Sequence, residues 1–201
     1  MKRYIFAILF LFFFSNNYAQ VGIGTITPTA GLEILGTNTG APLLELNPQS
    51  APVGSATGQL AVIGDLLYMY DATRIKWLSI QSVPLQFSRL GTTGTENLFF
   101  GNTDNSNTGP IMPFDGTIVA VTAKASAMNS ATKRLQFRIR NGTTNISNTN
   151  LNLNSIDNSI NNIVINNDFS AGDYLAVRGR NSPTGSTADD VSVVIWVKWR
   201  K

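Results

Sequence analysis

The stretch that most constrains the fold is Asp190-Val191-Ser192-Val193-Val194-Ile195-Trp196-Val197-Lys198-Trp199, which contains no Gly or Pro. β-Branched and aromatic side chains dominate it, the composition of a strand. Alternation puts Val191, Val193, Ile195, Val197 and Trp199 on one face and Ser192, Val194, Trp196 and Lys198 on the other. Both faces are apolar in the middle, whereas an antiparallel strand with one face in water should alternate cleanly. Such a strand needs two apolar partners, the core of its own sandwich and a second surface. The expectation is that a neighbouring copy of the chain supplies the second.

The start of the chain reads as a secretory signal. Lys2 and Arg3 precede the apolar run Ile5 to Phe14, and Ser15 to Ala19 form a short polar end, so cleavage is expected after Ala19. The run is shorter than the roughly 20 apolar residues that cross a bilayer, so no membrane span is expected after cleavage. With 0 Cys, neither a lipid anchor on an N-terminal Cys nor a disulfide is possible. The chain carries 15 Lys and Arg against 12 Asp and Glu; without Lys2 and Arg3 the basic count is 13. A nearly neutral mature chain lacks the electrostatic footprint of a nucleic-acid binder. Only 13% of residues are charged, so solubility rests on Asn, Thr, Ser and Gly. A small exported domain without staples is marginal alone, and oligomerisation is the remedy this composition leaves.

After the signal, residues 20–58 read as an extended shaft or linker. Val21 to Ile34 has strand composition but no partner within hairpin distance, and an unpaired edge recruits other chains. Val21, Ile23, Leu32 and Ile34 are the candidate shaft-pairing residues. A short strand is expected at the apolar island Leu43-Leu44-Glu45-Leu46. Residues 59–82 contain three apolar runs separated by Gly64-Asp65 and Asp71-Ala72-Thr73, which predicts a three-stranded meander. Tyr68, Tyr70 and Trp77 could stack on a sugar or fill the core of so small a module.

Residues 83–201 carry about eight candidate strands and no convincing helical period, the pattern of a sandwich or barrel. The strands expected are Leu85 to Leu90, Asn97 to Phe100, Thr117 to Ala127, Lys133 to Arg140, Ile163 to Phe169, Tyr174 to Arg180, and the final strand, while Asn145 to Asn162 reads as an Asn-rich stretch of low complexity with Leu151, Leu153, Ile156 and Ile160 as its apolar points. Residues 102–109 form an Asn/Asp/Ser loop with too few carboxylates for calcium. Leu135, Phe137 and Ile139 should face inward; Gln136, Arg138 and Arg140 should face out, with Arg138 tolerant of replacement. Asn141-Gly142 marks a tight turn. Between Thr117 and Ala127 the inward face is expected to be Val119, Val121, Ala123, Ala125 and Ala127. The outward apolar side chains Ile118, Ala120, Tyr174, Ala176, Val194 and Trp196 would then form the candidate trimer interface.

Two stretches carry a resemblance. Gly22-Ile23-Gly24-Thr25, Pro28, Leu32 and Ile34 resemble the segment that opens the shafts of trimeric phage tail fibres and bacterial surface fibres. The meander is similar to the small β module between shaft and head in such fibres. Phe169-Ser170-Ala171-Gly172-Asp173-Tyr174-Leu175-Ala176-Val177 resembles a turn of the jelly-roll heads of the tumour necrosis factor and complement globular-head superfamily, over roughly residues 85–201. The resemblance implies an all-β chain, with an N-terminal shaft strand and small β meander followed by a jelly-roll β-sandwich head. It also implies a trimer packed about a three-fold axis.

The chain has 0 His and 0 Cys, which removes Ser-His-Asp and Cys-His catalysis and the usual zinc sites. Asp189 and Asp190 point to opposite faces if extended, and Asp168 and Asp173 flank a turn, so neither pair suits glycoside hydrolysis. No phosphate loop or dinucleotide fingerprint occurs. The expectation is a secreted, non-enzymatic homotrimer, structural or adhesive, at the cell surface or in the medium. No cofactor or metal is expected, and the outside partner would be a surface glycan, a protein ligand or a fibre anchor. The alternative is a monomeric secreted carbohydrate-binding sandwich.

Overall fold

The computed structural model describes residues 20–36, 40–102 and 108–201, and every regular element among them is a strand. The expected signal, residues 1–19, lies outside the described residues, as do 103–107 of the expected Asn/Asp/Ser loop. The chain divides between Asn47 and Pro48 into two compact units.

In the first unit β1 (Val21–Ile23) pairs with β2 (Leu32–Ile34) in parallel, Val21 opposite Leu32 and Ile23 opposite Ile34. The expected unpaired strand is therefore paired within the chain, and the four candidate shaft residues face one another. Parallel strands usually need a connection of a dozen or more residues. Here a shorter one suffices because Gly24 takes φ 78°, where a Cβ would stand 2.1 Å from the Leu35 carbonyl oxygen. Val21, Ile23 and Leu32 remain exposed. Residues 43–46 form no strand, and their leucines are also exposed.

The second unit begins with the expected meander: β3 (Leu60–Ile63), β4 (Leu66–Asp71) and β5 (Lys76–Ser79), all antiparallel. Ala61, Ile63, Tyr68, Tyr70 and Trp77 form its core. The Tyr70 and Trp77 rings lie 5.3 Å apart, and Trp77 Nε1 donates to the Pro52 carbonyl at 2.8 Å. This buries a large aromatic payload in a module that has little else to bury.

The head follows as β6 (Val83–Thr93), β7 (Gly116–Lys124), β8 (Ala127–Met128), β9 (Thr132–Asn141), β10 (Thr144–Asn154), β11 (Ser159–Asn162), β12 (Asn167–Phe169), β13 (Tyr174–Arg180) and β14 (Ala188–Trp199). One layer has the order β6-β14-β7-β11, with β12 continuing beside β7. The other has β10-β9-β13, and its β13 edge is covered through the bridges Asn97–Arg178 and Ile111–Tyr174. The chain crosses between the layers from β8 to β9, from β10 to β11, from β12 to β13 and from β13 to β14. Asn154 of β10 pairs with Ser159 of β11, so the ladder runs on at that side and nearly closes the sandwich. The core between the layers joins Val121, Val193 and Ile195 to Leu135, Phe137, Ile139, Leu175 and Val177.

The final strand faces inward with Val191, Val193, Ile195 and Val197, as its alternation predicts. Trp199 packs edge-on against Phe114 and Phe169, with centroids 5.6 and 6.3 Å away. The Asn141-Gly142 turn joins β9 to β10, with Gly142 at φ 55°. The expected parity of β7 fails at one end. Trp196 stands opposite Ala120 but Val197 opposite Ile118, so Val119 is an extra residue in the ladder. A one-residue bulge exchanges the faces beyond it. Ile118 therefore enters the core, 2% exposed, and Val119 leaves it. Ala127, also expected inside, is exposed at the start of β8. The expected strand Ile163 to Phe169 shortens to β12, leaving Ile163 and Val164 exposed in a break between β11 and β12.

Candidate functional site

The outward side of the β6-β14-β7 layer brings together three of the six candidate interface residues. Trp196 stands between Pro84 and Ala120, and Val194 in the next row stands between Gln86 and Thr122. Trp196, Val194 and Ala120 are half-buried and Pro84 is exposed. The other three do not belong to this patch. Ile118 is in the core for the reason given above. Tyr174 and Ala176, 6% and 4% exposed, lie on β13 in the opposite layer. Tyr174 is covered because the chain at Pro110–Ile111 pairs along β13, with Leu175 N donating to the Pro110 carbonyl at 3.3 Å. Its hydroxyl donates to the Gly142 carbonyl at 2.7 Å.

Two meander side chains without a signal in the sequence pattern dock on this head, Lys76 through Asn166 and Asp168, and Arg74. The break between β11 and β12 lies opposite the Val119 bulge, so backbone carbonyls there lack ladder partners. Arg74 fills the gap: Nη2 donates to the carbonyls of Val119 at 3.0 Å and Ile163 at 2.9 Å, and Nε to that of Ile165 at 2.9 Å. Asp71 holds the guanidinium through Oδ2 at 2.7 Å. Burial alone would raise the Asp71 pKa, but the hydrogen bonds and charge of Arg74 outweigh it, and the carboxyl sits below its ordinary value. The chain end adds to the docking, with Trp199 N donating to Ser79 Oγ at 3.0 Å and Lys201 N to the Trp77 carbonyl at 3.2 Å. Tyr68, Tyr70 and Trp77 are buried, so the sugar-stacking alternative for them gives way to the core role.

Three of the four carboxylates considered for chemistry are engaged in structure, while the fourth, Asp189, keeps a buried Oδ1 without a hydrogen-bond partner. Asp168 accepts from Lys76 Nζ at 2.6 Å and Thr117 Oγ1 at 2.7 Å, and these bonds outweigh burial to hold its pKa below the ordinary value. Asp173 accepts from Ser170 N at 2.9 Å and Asn141 Nδ2 at 3.1 Å, which ties the two turns together. Asp190 accepts from Gly91 N at 2.8 Å and Ser126 Oγ at 2.9 Å. Among the described residues no group of three or more Asp or Glu could hold a metal ion.

The outward side of the other layer is basic. Register places Arg138 beside Ala176, Gln136 beside Arg178, Arg134 beside Arg180, and Arg140 beside Tyr174. On the far flank, Asn148, Asn150 and Asn152 of β10 stand opposite Arg138, Gln136 and Arg134. Arg138 was expected to be a tolerant surface position, but it is 3% exposed. It stands opposite the small Ala176, and its Nη2 donates to Asn97 Oδ1 at 2.8 Å. Burial first, and then the like charges of Arg140 and Arg178, push its pKa down to about 10. Burial, and then the like charges of Arg180 and Arg140, shift Arg178 down as well. Alternation in Arg134 to Arg140 and in Arg178 to Arg180 signals that each set shares a face. Only the β9–β13 pairing puts the two sets together.

Comparison of the chain with protein-family models, with curated proteins and with solved structures finds no match.

Proposed function

We propose that the protein is a secreted, non-enzymatic homotrimer with a structural or adhesive role in a fibre or surface appendage. The observation that carries the reading is the outward row Pro84–Trp196–Ala120, with Val194 beside it, on the layer built around the final strand. A Trp, a Val and a Pro side by side on a sheet whose other face already fills the core form the kind of patch that marks an interface. Exposed Val21, Ile23 and Leu32 on the paired N-terminal strands offer a second apolar surface for the same association. The resemblances of the Gly22–Ile34 stretch to fibre shafts, and of residues 85–201 to trimeric jelly-roll heads, belong to the same reading.

Sedimentation of the mature protein at micromolar concentration tests it, with the expected mass three times that of the processed chain. A clean monomer refutes the reading. Trp196→Asp should place three carboxylates together in an apolar contact, each losing water and repelling the others, and so dissociate the assembly. Asn152→Asp, exposed on the opposite layer, should leave the mass unchanged. A trimer that survives Trp196→Asp with unchanged melting would put the interface elsewhere.

A further inference from the structure

The basic outer side of the β10-β9-β13 layer lies on the layer opposite the Pro84–Trp196–Ala120 row. Arg134, Arg178 and Arg180 are half-buried and donate no side-chain hydrogen bond, and none of the five arginines on this side forms a salt bridge among the described residues. Arg138 and Arg140, both more than nine-tenths buried, each keep an Nε–H without an acceptor, and so does Arg178. Burying guanidinium groups beside one another without a counter-charge is unfavourable. Opposite residues on paired strands stand about 5 Å apart, so the like charges are close. The core of this layer is made by the other face, Leu135, Phe137, Ile139, Leu175 and Val177, and of the five arginines only Arg138, to Asn97, and Arg140, to the Thr143 carbonyl, donate side-chain hydrogen bonds among the described residues. The arrangement is relieved by oxyanions laid across it, and guanidinium is the group that binds planar and tetrahedral oxyanions through paired donors.

We infer that this face binds a linear acidic polysaccharide, its sulfate or carboxylate groups against the arginines and its hydroxyls against the amides of Gln136, Asn148 and Asn150. This deepens the adhesive reading by naming a ligand class, and it does not depend on the trimer. Arg134 to Arg140 spans about 20 Å of strand at roughly 3.3 Å per residue, room for a chain of several sugars rather than a single small anion. The amides of β10 are exposed, and one of them accepts from Gln136 Nε2 at 3.3 Å, so the flank is a hydrogen-bonding carpet next to the charge. The rows carry no exposed aromatic ring on which nucleic-acid bases could stack, and β10 exposes a single large aliphatic side chain, Ile146, too little to anchor the face in a lipid surface.

The test uses the mature protein, with dextran sulfate and polygalacturonate as probes, uncharged dextran as control, and double-stranded DNA and phosphatidylserine vesicles as competitors of other classes. Both acidic polysaccharides should bind, dextran should not, and affinity should fall at least about tenfold between 50 and 300 mM salt. The double variant Arg178→Gln/Arg180→Gln should weaken binding at least about tenfold while melting stays unchanged. Asn148→Asp/Asn150→Asp removes no arginine and adds two repelling charges at exposed positions, so it should weaken binding to the same degree even if the first variant folds poorly. Lys124→Gln/Lys198→Gln, on the opposite layer, should leave binding intact. No binding to either acidic polysaccharide, undiminished binding by both arginine-face variants, or tighter binding to DNA or vesicles would overturn the inference. Mass measured on the same samples reports the trimer separately.

Discussion

Replacing Arg74 by Met tests how the meander and head are held together. The change keeps the length of the aliphatic stem but removes every donor. Three backbone carbonyls then lose their partner, at Val119, Ile163 and Ile165. The bond to Ile163 is exposed, so water replaces the guanidinium there at little cost. The other two bonds are part-buried, and an unsatisfied group of that kind costs about 1–2 kcal/mol at the low end of the usual range. The Arg74–Asp71 pair, with side chains 15% and 19% exposed, adds about 0.5–1 kcal/mol after screening by solvent. The expected loss is therefore about 2.5–5 kcal/mol, a large share of the ~5–15 kcal/mol that holds a domain folded. Urea unfolding followed by tryptophan fluorescence measures it. Arg74→Lys, which can satisfy one or two of the three carbonyls as a point donor, should lose about half as much. A loss below about 1 kcal/mol for Arg74→Met would refute the view that this side chain bridges the broken β11–β12 edge.

Lys133 is 0% exposed and donates from Nζ to the carbonyls of Gly94, Arg180 and Ser186 at 2.5, 2.9 and 2.7 Å. Lys133→Met should lower stability by about 3 kcal/mol or more in the same urea assay, because three loop carbonyls lose a charged donor together; a neutral result would mean that water reaches them. Acid should destabilise the docking of meander on head. Asp71 and Asp168 have folded pKa values below the ordinary 3.8, so their contribution is complete above that value and is lost as pH falls through the depressed ones. The melting temperature of the double variant Asp71→Asn/Asp168→Asn should be lower than wild type at pH 6, with the gap closing below pH 4; a gap that stays constant down to pH 2 would contradict the assignment.

The inward parity of the final strand and of Lys133 to Arg140 was legible in the sequence, as were the meander and the turn at Asn141-Gly142. Each of these depends on neighbours within a few residues, through the two-residue period of a strand and the φ freedom of glycine. The tertiary structure decided what depends on distant partners. A single extra residue at Val119, defined only by where β14 pairs with β7, moved Ile118 from the expected surface into the core. Placement of β13 beside β9 took Tyr174 and Ala176 away from the patch of Trp196, Val194 and Ala120, and set Ala176, Arg178 and Arg180 opposite Arg138, Gln136 and Arg134. The role of Arg74 required knowing that the carbonyls of Val119, Ile163 and Ile165 would be left without ladder partners, 45 to 91 residues away along the chain. The pairing of β1 with β2 depended on a turn at Gly24 tight enough to bring parallel strands together across a short connection. Periodicity says which side of a strand a residue takes, but the neighbour on that side is chosen by register and layer, and these are properties of the whole chain.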